Sequence, residues 1–300
     1  MTRIFRGAMA AVFAALLVGF LHFDVLAQET IKRSFDVNSG GTLRIDIDQG
    51  SVLVEPTSDS KVSVEMVRRV KGVSEKEEKE ILAKHAFTIE SRGNDVTVDS
   101  KFEGDSDGSG SWRRWKNDSR FSLEVTVLVP RSYNVDFTSG AGNVTIEDLD
   151  GTVRGRTGAG NIVLGEIRGS IEISSGAGNI EVAGGRGMIY AESGAGNITL
   201  DDVQGKIKVG TGAGNVIASI TSALSGDSEL KSGAGNVTVY LDESVGARVD
   251  GQASIGSAKT DYNLKVQGKW MSKSFEGSVN GGGPALSMHS GVGNVALKRY

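Results

Sequence analysis

A chain of 300 residues with 33 basic and 37 acidic side chains has a net charge of −4, so it offers no basic surface for nucleic acid. It contains no cysteine, which removes thiol nucleophiles, disulfides and a lipid-modified cysteine together. Glycine fills 42 positions, but at fixed offsets, which marks turns and not disorder.

The opening MTRIFRGAMAAVFAALLVGFLHFDVLA reads as a secretory signal over residues 1–27: Arg3 and Arg6, an apolar run over 8–21, and Val25-Leu26-Ala27 ahead of cleavage before Gln28. His22 and Asp24 cut the apolar run short of a membrane span, and no later segment is apolar enough to cross as a helix. The expected location is therefore exported, in the periplasm or outside the cell.

Residues 28–135 read as a diverged β region. Residues 31–70 alternate apolar and polar around Gly40-Gly41 and Gly50, with Leu43, Ile45, Ile47, Val52, Val54, Val62 and Val64 inward, a longer-looped version of the coil that follows. Ser74-Glu75-Lys76-Glu77 is a capping box, and it opens the one convincing helix, over 74–85, with Ile81 and Leu82 against the strands. Strands are expected at 86–90, 95–101 and 121–129, the last ended by Pro130.

Between them lies a Gly/Ser/Asp-rich segment, 103–119, expected as an exposed loop and carrying Trp112, Arg113, Arg114 and Trp115. Aromatics beside cations suit sugar rings or lipid headgroups, which makes these four a candidate surface contact. Their structural alternative is a lid, one tryptophan folded over the open end of the coil.

Residues 136–300 hold the repeat. SGAGNVTI, TGAGNIVL, SGAGNIEV, SGAGNITL, TGAGNVIA and SGAGNVTV place Asn143, Asn161, Asn179, Asn197, Asn215 and Asn236 in steps of 18 and finally 21 residues, and SGVGNVAL closes the chain with Asn294. A fixed period of this length means stacked identical units. The columns Val144/Ile162/Ile180/Ile198/Val216/Val237 and Ile146/Leu164/Val182/Leu200/Ala218/Val239 alternate at period two, which is strand chemistry. Leu149/Ile167/Val203 and Val153/Ile171/Ile189/Ile207 supply a second strand per unit.

Turns fall at Gly151, Gly169, Gly187 and Gly205 and at each Gly-Ala-Gly-Asn, where the seven asparagines should form a structural turn ladder. The fold class is thus all-β: a β-solenoid, or parallel β-helix, of about 18 residues per rung. Outward residues stack as well, and one column reads Arg154, Glu172, Tyr190, Lys208. The 58 residues from Asn236 to Asn294 come close to three rungs, so the coil is expected to run on to the terminus in looser sequence.

This combination of leader, diverged strands, tandem S/T-G-A-G-N-V/I units and closing GGGPALSMHSGVGNVAL resembles the putative-adhesin, or adhesin domain-containing, family of bacterial β-strand-repeat proteins from residue 31 to the end. The resemblance implies an exported or envelope-associated protein and brings no catalytic or ligand-binding set with it.

Chemical readings of the repeats fail on residue type. No helix pattern follows any Gly-Ala-Gly-Asn, so the phrase lacks the anion-binding helix start of a phosphate loop. Calcium β-rolls need aspartate where this chain has asparagine, leaving only scattered Asp148, Asp150, Asp201 and Asp202, and neither metal nor cofactor is expected. His85 and His289, the histidines beyond the leader, read as packed or surface residues, and no acid stands out for polysaccharide lyase or hydrolase chemistry, the least favoured reading.

The expected function is a non-catalytic scaffold or adhesion module of the cell envelope, with glycan, lipid surface or protein as partner. The alternative is a self-assembling structural protein joined end to end through unpaired strand edges.

Overall fold

The structure, a computed structural model, describes residues 27–102, 120–268 and 272–300. The expected leader, the 103–119 segment and its Trp112, Arg113, Arg114 and Trp115 lie outside the described residues.

Strands β1 (Ala27–Asp36), β2 (Thr42–Gln49), β3 (Ser51–Thr57) and β4 (Lys61–Val70) precede helix α1 (Glu75–Ala83), then β5 (His85–Arg92), β6 (Asp95–Phe102) and β7 (Phe121–Pro130). The regular block runs β8 (Asn134–Ala141), β9 (Val144–Ile146), β10 (Val153–Ala159), β11 (Ile162–Ile167), β12 (Ile171–Ala177), β13 (Ile180–Gly185), β14 (Ile189–Ala195), β15 (Ile198–Val203), β16 (Ile207–Ala213), β17 (Val216–Ile220), β18 (Ser228–Ala234) and β19 (Val237–Leu241). After it come β20 (Ala247–Ile255), β21 (Ala258–Thr260), β22 (Val266–Gln267), β23 (Lys273–Val279), β24 (Ala285–Val292) and β25 (Val295–Arg299).

Even-numbered strands of the regular block form a front sheet and odd-numbered strands a back sheet, so each repeat contributes one strand to each. Register follows the 18-residue period: Ile171 lies beside Val153 and Ile189, Ile180 beside Ile162 and Ile198. Every residue of the four predicted apolar columns is buried, and the two sheets close over one aliphatic core. Where a column changes size its neighbour compensates; a Cβ on Gly155 would stand 2.3 Å from the Phe137 ring, which fills that space.

Stacking order departs from chain order at both ends. The front sheet reads β5-β6-β2-β8-β10-β12-β14-β16-β18-β24-β20-β23-β22 and the back sheet β1-β4-β7-β3-β9-β11-β13-β15-β17-β19-β25-β21. Ten rungs result among the described residues: β6/β7, β2/β3, six in chain order from β8/β9 to β18/β19, then β24/β25 and β20/β21.

The expectation that the coil runs on in chain order through the 58-residue gap is therefore corrected. The closing repeat stacks directly on the sixth copy, Ser232 beside Ser290 and Val237 beside Val295, and the intervening chain forms the rung beyond it. The reason lies in the corner: Asn294 and Ser290 bond to Asn236 and Gly235, whereas the rung beyond offers Ala253 of β20 and Ser257, between β20 and β21, at those places. Consensus stacks on consensus. The diverged region is likewise not a simple coil, since β1, β4 and β5 run antiparallel to their neighbours.

Those antiparallel strands, with β22 and β23 at the other end, cap the stack. The helix forms as its capping box requires: the Glu77 amide donates to Ser74 Oγ at 3.4 Å and the Ser74 amide to Glu77 Oε2 at 3.1 Å, which holds the Glu77 carboxyl below its usual range. Helix α1 buries Ile81 against the first rung's end of the core. The outermost edge strands are β1 and β5, studded with charge, and the short β21 and β22, which blunts end-to-end pairing.

Candidate interaction face

At the corner joining front to back sheet, each asparagine side chain accepts the backbone N–H of the next. Asn161 N donates to Asn143 Oδ1 at 3.0 Å, and the same bond recurs at 2.8–2.9 Å from Asn179, Asn197, Asn215, Asn236 and Asn294. From Asn197 onward the amides also bond to one another, as Asn236 Nδ2 to Asn215 Oδ1 at 2.9 Å. Ser257 terminates the row by donating its N–H and hydroxyl to Asn294 Oδ1. Each of these side-chain oxygens is engaged in holding the corner.

Beside it runs a column that reading the whole phrase as a turn overlooked. Ser139, Thr157, Ser175, Ser193, Thr211, Ser232 and Ser290 are buried, and from Ser175 onward each hydroxyl donates to a glycine carbonyl of the preceding copy at 2.7–3.0 Å. Period-two alternation continued from Val153 through Gly155 to Thr157 points this column inward, and that was the available signal.

The front sheet's outer surface carries a groove of about 570 Å³ along the stack. It begins at Thr97 and Asp99 on the first rung, passes Arg44 and Asp46, Asp136 and Thr138, Arg154 and Arg156, Glu172 and Ser174, and ends at Tyr190 on the sixth. Five steps of about 4.8 Å make it roughly 24 Å long. The Arg154–Glu172–Tyr190 part of the outward column read from the sequence supplies one wall in register, and Lys208 continues that column on the rung beyond the groove.

Some of its charges are committed. Arg44 pairs with Asp95 at 2.7 Å, Lys101 with Asp46 at 2.8 Å, and Arg154 reaches Glu172 at 3.5 Å. Arg156 is exposed between Thr138 and Ser174 and makes no ion pair among the described residues. At the far end Lys208 Nζ sits 5.8 Å over the Tyr190 ring from the next rung, and a hydrogen bond with Glu192 raises the Tyr190 phenol above its usual range.

Among the described residues His85 is the one strongly perturbed base. Buried at 4% exposure among Phe87, Phe102 and Phe121, it contacts Ser100 Oγ through Nε2 at 2.7 Å and Arg68 Nη1 through Nδ1 at 3.3 Å. A guanidinium only donates, so Nδ1 accepts and the ring proton resides on Nε2. Burial first, and the Arg68 cation second, lower its pKa to about 4. It is sealed inside the cap on the core side of β6, opposite the face on which Thr97 and Asp99 line the groove. His289 lies on the front sheet's outer face beside Lys231 and Gln252.

Of the acids weighed for scattered ions, Asp148 and Asp150 face Arg131, Asp150 also faces Arg168 at 3.1 Å, and Asp202 accepts from the Thr221 hydroxyl. Among the described residues no cluster of three or more His, Asp or Glu is arranged for a metal, and no helix is long and apolar enough to cross a membrane.

Among curated proteins nothing matches the chain. Solved structures do. A putative adhesin from Bacteroides fragilis NCTC 9343 is 14% identical, with 91% of this chain and 97% of that one covered at a TM-score of 0.47. A putative cell adhesion protein from Clostridium sporogenes is 12% identical over 92% and 100% at 0.30, and a putative lipid binding protein from Parabacteroides distasonis is 10% identical over 89% and 96% at 0.35. A family model matches residues 41–298, from the turn before β2 into the closing repeat that carried the resemblance, and the chain belongs to the Toastrack DUF4097 family.

Proposed function

We propose that the protein is a non-catalytic interaction module of the cell envelope, exported by its leader and used as a stiff display surface. The observation that carries this reading is the stack itself: ten rungs among the described residues, in register apart from one shift between β15 and β17, hold rows of outward side chains at nearly fixed spacing, while the four repeat columns are spent inside. Such a surface recognises by geometry. The catalytic alternative finds no support in the groove, where Asp46 and Glu172 face cations and His85 is sealed away.

End-to-end self-assembly is disfavoured by the capped, charged and short edges, so a single species is expected in sedimentation at high concentration. The module reading is tested by incubating the full mature chain with envelope fractions, separated into glycan, lipid and protein. Retention on one fraction is expected; absence of retention on all of them overturns the reading.

A further inference from the structure

We infer that the front-sheet groove from Asp99 to Tyr190 is a binding site for a linear, uncharged glycan lying along the stack, which rests on the interaction-module reading and names its ligand. Shape comes first. The groove is open and about 24 Å long by rung spacing, so it suits an extended polymer better than a compact metabolite.

Charge balance narrows the polymer. Arg44, Arg154 and Arg156 face Asp46, Asp99, Asp136 and Glu172, so three cations meet four carboxylates. A phosphate-rich chain or an anionic headgroup layer would meet those carboxylates on four of the six rungs, and a polycation would meet the arginines. An uncharged polyhydroxyl chain suits both: carboxylates accept its hydroxyl protons and guanidinium groups donate to its oxygens.

Backbone economy excludes a peptide strand. The strands beneath the groove are paired on both sides, so their N–H and C=O groups are already used and cannot add a strand. At the groove's end Tyr190 supplies the aromatic face that sugar rings stack on, backed by Lys208 on the next rung, which does not line the groove. Arg156, flanked by the Thr138 and Ser174 positions and without a carboxylate partner among the described residues, is the donor not already spent on the fold.

The experiment is titration calorimetry and an array of neutral oligosaccharides, β-linked glucan, mannan and N-acetylglucosamine oligomers of four to six units, on wild type, Tyr190→Ala, Arg156→Ala, Trp112→Ala/Trp115→Ala and the back-sheet control Tyr240→Ala, with thermal melts to confirm folding. Binding to one neutral series is expected, weakened about tenfold or more by Tyr190→Ala and by Arg156→Ala, unmoved by Tyr240→Ala, and little changed between low and high salt. Three results overturn the inference: no neutral oligomer binds, binding is indifferent to both groove substitutions, or it is lost only in Trp112→Ala/Trp115→Ala. A protein that still holds an envelope fraction in any of these cases leaves the module reading standing and removes only the groove.

Discussion

Thr157 and Thr211 hold the same position in two copies of the repeat and differ in one bond. Thr211 Oγ1 donates to the Gly196 carbonyl at 2.8 Å, whereas Thr157 Oγ1 is buried with no partner. Replacing Thr211 by valine keeps shape and removes that bond, so a loss of ~1 kcal/mol is expected in urea unfolding; the same change at Thr157 relieves an unmet polar group and should be neutral or stabilising. Equal losses at both sites would show that the hydroxyl column plays no such part. The second glycine of the phrase is stricter. At Gly178, φ is +151° and a Cβ would stand 2.1 Å from the Gly160 carbonyl oxygen, so Gly178→Ala should destabilise by at least ~1–3 kcal/mol, seen as a lowered Tm. At this scale the sequence was legible wherever residue type has one use: glycine and asparagine marked the corner. Serine and threonine suit turns as readily as a buried column, which is why they were absorbed into the corner.

Two elements decide how the stack ends. In the N-terminal cap, β5, β6, α1 and β4 meet at His85, whose ring faces the Arg68 guanidinium, itself paired with Glu29. With its folded pKa lowered to about 4 from an ordinary 6.5, His85 stays neutral in the fold while the unfolded chain takes up a proton. The unfolded state therefore binds more protons between those values. Stability present above pH 6.5 should fall as pH drops and be lost by about pH 4, by roughly 3 kcal/mol. Urea midpoints across that range test this on wild type and His85→Phe, in which the slope attributable to this group should vanish; an unchanged slope contradicts the assignment. At the C-terminal end, the closing repeat seats itself between β19 and β21 and between β18 and β20. That the coil continues past Asn236 was legible from the length of the gap, but the place of its strands was not, because periodicity reports that units stack and is silent on their order. The clue was similarity: the closing copy matches the sixth better than anything between them does.

Across the whole molecule, the account reduces to order of stacking, since groove, ladder and core columns all follow from which strand lies beside which. The architecture, the period and the inward set were readable because solenoid rungs repeat their chemistry; the groove was not, because it depends on β2 lying between β6 and β8, a neighbourhood that joins residues as far apart in the chain as Leu43 and Val135. A chain without cysteine makes the decisive measurement clean. Thr238, Ala296 and Lys259 occupy one outward column of the back sheet in that order, on β19, β25 and β21. Adjacent rungs at about 4.8 Å lie within disulfide reach and alternate rungs do not. Oxidation of Thr238→Cys/Ala296→Cys is predicted to give an intramolecular disulfide in high yield and Thr238→Cys/Lys259→Cys none; a bridge in the second pair and not in the first would place the rungs in chain order and contradict the structure described.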